Sequence, residues 1–164
     1  MFKKTLCFFF AFLFSVGICS CSSKEDNKNT DPKIIDIEIL QKTMLKAAPS
    51  LSNNISVNSN SEQAKDTFTS ISDLDYDSVQ SYFICYSKDT VADEIALICV
   101  KDKKDVQTAL ESLENHAEQK MSLFSDYSAK NTEKFSAFTT GNYAVLIICN
   151  EASSVKKAFE DTIK

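Results

Sequence analysis

The chain has 164 residues, with 18 Lys+Arg against 23 Asp+Glu for a formal net charge of −5, and 43% of its side chains are hydrophobic. The acidic balance argues against nucleic acid and anionic lipid surfaces as partners. Every basic residue is Lys, so the planar, two-pronged grip of Arg on phosphate or carboxylate is missing, which counts against nucleotide binding.

The N-terminus carries Lys3 and Lys4, then a mostly apolar run of 14 residues over 5–18, then Cys19-Ser20-Cys21. A positive start followed by a short apolar core is the layout of a secretory signal, and a helix spanning a bilayer needs about 20 apolar residues. Ile18, three before Cys21, and the small Ser20 just before it resemble the lipobox of bacterial lipoprotein signals. Cys19 is the rival site, but bulky Ile18 precedes it. Residues 1–20 are therefore expected to be a signal peptide, and Cys21 the lipidated residue. Two acyl chains on its sulfur, at about 0.8 kcal/mol per buried methylene, hold a protein stably where one chain is marginal. Removing 1–20 takes away two Lys and no acid, leaving 16 basic against 23 acidic residues in 144, or −7. That length suits a single domain with a real core.

Residues 22–33 hold no apolar side chain except Pro32 and read as a flexible tether. Its reach is roughly 20 Å on the square-root estimate. One domain is expected over 34–164. Ile37, Leu40, Met44 and Ala47/Ala48 keep the helical period until Pro49. Residues 49–66, rich in Ser and Asn, read as a long loop with a short extended piece, and 67–72 as a brief edge strand. The aromatic and aliphatic stretches 79–87 and 94–101, joined by the short polar 88–93, predict an antiparallel hairpin. Asp102 is placed to cap the next helix. In that helix Val106, Leu110, Leu113, Ala117, Met121 and Phe124 form one apolar stripe, with Glu111, Glu114, Glu118 and Lys120 expected in solvent. Residues 125–137 read as an irregular link. Gly141-Asn142 then turns into a strand over 143–149, and a last helix buries Val155, Ala158/Phe159 and Ile163. This order predicts an α+β fold: a small antiparallel sheet of three to four strands with helices packed on one face.

The strand 92–102, the following charged helix and Gly141-Asn142-Tyr143-Ala144-Val145-Leu146 are similar to a family of short clostridial lipoproteins carrying a domain of unknown function, the one numbered 4358. The resemblance covers roughly 37–163. It implies a location, the outer side of a Gram-positive cell membrane, and an architecture, but no reaction. That family usually shows an Arg and a Gln in the long helix; here the Gln is Gln119 and there is no Arg.

Cys7, Cys19 and Cys21 fall in the signal or the anchor. Cys85, Cys99 and Cys149 each sit in an aliphatic or aromatic run with no CxxC spacing, so they read as core thiols, with one disulfide between two of them as the alternative. Asp73, Asp75 and Asp77 imitate the start of a calcium loop, but Ser78 and Ile84 stand where its Gly and Glu belong. His116 is the only histidine, which rules out a multi-histidine zinc site, and it is expected half-exposed on a helix flank. Asp93 and Glu94 are adjacent and so point to opposite faces of a strand; they read as surface charges at the hairpin. Gly141-Asn142 lacks the repeated glycines of a phosphate loop and reads as a turn needing a left-handed residue.

No catalytic motif, metal or cofactor is indicated. The expected role is therefore a membrane-anchored, extracytoplasmic binding or accessory domain that meets an envelope protein or ligand through Asp93, Glu94 and Asn142. The competing hypothesis is an extracytoplasmic hydrolase or thiol enzyme using Asp93, Glu94, His116 or a Cys. A third is an accessory to a transporter or to spore or cell-wall assembly.

Overall fold

The computed structural model describes residues 34–89, 91–124 and 135–164. The expected signal, Cys21, the tether and most of the 125–137 link lie outside the described residues. Helix α1 (Ile37–Lys46) starts where the Asp36 carboxylate accepts the Glu38 N–H at 2.8 Å, and it buries Ile37, Leu40 and Met44 as the spacing predicts. Strand β1 (Asn54–Asn58) and the short helix α2 (Ala64–Thr69) follow, then β2 (Val79–Ser87), β3 (Glu94–Val100) and helix α3 (Val106–Leu123). Strands β4 (Ser136–Thr140) and β5 (Tyr143–Ile148) and helix α4 (Ala152–Thr162) complete the fold.

Among the described residues the sheet has five strands in the order β1-β2-β3-β5-β4, every neighbouring pair antiparallel. Since β3 and β4 both run against β5, they are parallel to each other with β5 inserted between them, and α3 crosses over to make that possible. The fold is α+β as expected, but the strand count exceeds three to four. Both extra strands are sheet edges, which explains why their sequences carry little apolar signal. Of β1 only Val57 is buried, while Asn58 turns its amide to Gln41 Oε1 of α1 at 2.8 Å. Strand β4 has no fully buried residue and is fixed by its hairpin with β5, where Thr140 pairs with Tyr143 across a two-residue turn. Gly141 there has φ 58°, the left-handed region that the turn was expected to need.

Helices cover both faces of the sheet, not one. On one side α2 and α3 pack on Tyr82, Ile84, Ala96, Ile98, Val100, Ala144 and Leu146. On the other, α1 and α4 pack on Phe83, Cys85, Ile95, Leu97, Cys99, Val145 and Ile147. The strands announce this two-sided burial: β3 and β5 are buried at every position, as continuous apolar runs require. The α1 and α4 layer is closed by Tyr143, whose hydroxyl accepts the backbone N–H of Ile35 at 2.8 Å, and by the edge-to-face stack of Tyr143 on Phe159.

Residues 67–72 are not an edge strand. Phe68 of α2 is fully buried, edge-on to Tyr76 and Tyr82, and the Tyr82 hydroxyl donates to the Ala64 carbonyl, so tertiary packing holds this six-residue segment helical. Helix α3 follows its predicted stripe with a small rotation: Ala109, Ser112, Leu113 and Ala117 are buried, and Val106, Leu110, Met121 and Phe124 flank them. Asp102 caps a 3-10 turn just ahead of α3, its side chain accepting the Lys104 N–H at 3.1 Å.

Candidate functional site

Alternation along β3 sends residues 94, 96, 98 and 100 to the α3 face and 95, 97 and 99 to the α1 and α4 face. Glu94 therefore heads an otherwise apolar row, between Tyr86 of β2 and Ile148 of β5, its cross-strand partners. Its side chain is 1% exposed. The expectation of a surface group does not hold for Glu94, because α3 lies over it.

Helix α3 supplies the compensation. His116 and Lys120 are four residues apart and so share one face. His116 Nε2 lies 2.8 Å from Glu94 Oε1, and Lys120 Nζ donates to Glu94 Oε2 at 2.5 Å. The two side chains are 19% and 12% exposed. Lys120, expected in solvent, is thus turned inward, with its ammonium 5.4 Å from the centre of the Tyr86 ring. Each carboxylate oxygen has one partner, and no buried side-chain polar atom lacks one among the described residues. A buried charge is tolerated only when paired and bonded in this way.

Asp93 goes to the opposite face, beside Ser50, Cys149 and Glu151. The Ser50 hydroxyl donates to Glu151 Oε2 at 2.8 Å. Burial raises the Asp93 carboxyl above its ordinary value; Ser50 pulls it back, the Glu151 carboxylate adds to the rise, and Lys120 opposes it. Asp93 and Glu94 therefore belong to two separate groups with the sheet between them, as expected for strand neighbours, and do not form one acid/base pair.

The remaining sequence candidates settle into structural roles. The Asn142 amide donates to the Val100 carbonyl at 3.0 Å while the Asn142 backbone carbonyl accepts the Val100 N–H at 2.9 Å, so this half-exposed residue ties the turn to β3. Asp75 accepts the Asp77 N–H at 3.0 Å, the cap of a 3-10 turn. Cys85, Cys99 and Cys149 are free thiols, the first two buried. Burial pushes each of them up to about 11, where the reactive thiolate is scarce at neutral pH. Among the described residues no cluster of three or more His, Cys, Asp or Glu is placed to hold a metal ion, and no helix is long and apolar enough to cross a membrane.

The buried Glu94–His116–Lys120 group is what reading the sequence missed. Its signals were present: Glu94 has the same strand parity as Ala96, Ile98 and Val100, and His116 and Lys120 each lie one residue before a stripe position, at Ala117 and Met121. Chemically, the group clamps α3 to the sheet and orients an imidazole by a carboxylate. Among the described residues no hydroxyl or thiol is bonded to His116 to serve as a nucleophile.

A family model described as a domain of unknown function (DUF4358) matches residues 53–149. No curated protein and no solved structure matches the chain. The matched span takes in all five strands with α2 and α3, and with them Glu94, His116 and Lys120, while α1 and α4 fall outside it. As the match covers more than half of its residues, the chain belongs to the DUF4358 family.

Proposed function

We propose that this protein is a lipid-anchored lipoprotein on the outer side of a bacterial cell membrane, whose α+β domain is a non-enzymatic binding or accessory module of the envelope. The observation that carries this is the N-terminal pattern: Lys3 and Lys4, the apolar run, Ser20-Cys21, and then the polar stretch 22–33 ahead of α1, which starts at Ile37. A dozen polar residues between a membrane anchor and a packed domain leave that domain about 20 Å of reach, enough to meet neighbours without lying in the lipid. The thiol-enzyme alternative is opposed by the burial that raises all three domain thiols. With Glu94 buried under α3, the hairpin loop carrying Lys88, Asp89 and Val91, all exposed, is the surface offered to a partner, with half-exposed Asn142 at the other end of the sheet's central strand pair.

The test is labelling with a palmitate analogue in a producing bacterium. Wild type takes up label and is shortened; Cys21→Ala takes up none and accumulates at precursor length. Label that persists on Cys21→Ala moves the anchor to Cys19, and a wild type that takes up none carries a plain signal without a lipid. For the binding surface, Lys88→Ala, Asp89→Ala and Val91→Ala are expected to reduce crosslinking to envelope proteins with an unchanged melting temperature. Undiminished crosslinking would take the loop out of the interface.

A further inference from the structure

We propose that Glu94 is a positioning residue that fixes His116 in its Nε2–H tautomer, so that Nδ1 is the acceptor of the neutral imidazole. The argument is one of donor and acceptor inventory. A carboxylate only accepts. Glu94 meets Lys120 Nζ at Oε2 and His116 Nε2 at Oε1, 2.8 Å away, and an ammonium only donates, so both oxygens of the carboxylate face groups that must donate to it. Nε2 must then carry a hydrogen in both the neutral and the charged ring, and the lone pair of the neutral ring is on Nδ1. Packing removes the freedom to do otherwise. Glu94 is 1% exposed between Tyr86 and Ile148, and the one-turn spacing of His116 and Lys120 on α3 aims both donors at it. This inference goes beyond the anchored-lipoprotein reading and does not depend on it.

The experiment is nitrogen NMR of the full chain in detergent, labelled in histidine; with one histidine in the sequence, every ring signal belongs to His116. Once a pH series has reached the neutral ring, wild type is expected to show a protonated Nε2 and a bare Nδ1. Glu94→Gln makes a sharper demand. Lys120 can bond only the amide oxygen, which turns the amide NH2 toward His116, and Nε2 must then accept. The tautomer flips to Nδ1–H, a change that a merely space-filling role for Glu94 would not produce. Lys120→Met leaves the carboxylate facing His116 and is expected to keep Nε2–H, so the proposal stays decidable if Glu94→Gln fails to fold. A wild-type ring protonated on Nδ1 overturns it, as does a folded Glu94→Gln protein that keeps Nε2–H.

Discussion

Asp93 and Glu94 are adjacent in the chain yet lie in different layers of the fold: Glu94 is bonded to His116 and Lys120 under α3, and Asp93 sits on the far face of the sheet beside Ser50 and Glu151. A two-residue acidic signal in the sequence thus splits into a fully compensated internal ion group and a half-buried carboxyl set against a second carboxylate. The two residues answer differently to the same substitution.

Glu94→Ala removes the acceptor shared by His116 and Lys120 and leaves both donors at the helix–sheet interface. Breaking a buried ion group from one side costs about 3 kcal/mol. Urea denaturation is expected to show that loss, with Lys120→Met costing less because Lys120 is the more exposed partner and Glu94 keeps its bond to His116. A Glu94→Ala protein within about 0.5 kcal/mol of wild type, the range of an ordinary surface change, would return Glu94 to the surface role first expected of it.

For Asp93 the measurement is pH dependence. Its carboxyl is raised from the ordinary 3.8, first by burial and then by Glu151. The folded protein therefore keeps this proton at pH values where the unfolded chain has released it, so stability falls as pH rises from the ordinary Asp value through the raised one. Asp93→Asn carries no charge at any pH and lacks this decline. Its melting temperature relative to wild type is expected to increase between about pH 3.5 and pH 7. A difference that stays flat would show that Asp93 ionises in the fold as it does in the unfolded chain, and one that runs the other way that the fold favours its ionised form.

Much of the architecture was legible because periodicity and burial agree: the limits of β2, the faces of α1 and α4 and the positive-φ turn at Gly141 follow from spacing and turn chemistry. The edge strands were not, since β1 buries only Val57 and β4 buries no residue completely, and an edge gives the sequence little to alternate. The two-sided sheet was written in the unbroken apolar runs of β3 and β5, but the hairpin order outweighed it. Lys120 and Glu94 escaped because charge alone assigns a residue to solvent. Only the coincidence of strand parity and one-turn helical spacing, 26 residues apart, reveals that they meet.

Leu113 tests the centre of the α3 stripe. It is fully buried among the sheet side chains, so Leu113→Ala loses burial and leaves a cavity, at a cost of about 2–4 kcal/mol. Glu114, one residue on and only partly covered, is expected to change stability little when cut to Ala. A reversed ranking in urea melts would mean that the helix presents a different face to the sheet.

The thiols provide a readout of the α1 and α4 half of the core. Burial is the first cause of the rise to about 11 at Cys85, Cys99 and Cys149, while the Ser56 hydroxyl, 3.2 Å from Cys85 Sγ, pulls Cys85 the other way. At neutral pH the thiolate fraction is small at all three, and Cys85 and Cys99 are also closed off, being 0% exposed. Alkylation with iodoacetamide, mapped by peptide mass, is expected to modify Cys149 slowly and first, and to reach Cys85 and Cys99 only when denaturant opens the sheet. The latter two should become reactive together, since both lie on the α1 and α4 face of adjacent strands, with Cys85 opposite Ile95 and Cys99 opposite Tyr143. Fast labelling of Cys85 in the folded protein would show that the β1 edge opens locally, and labelling of Cys99 before Cys149 would contradict the packing of α1 and α4 over the sheet.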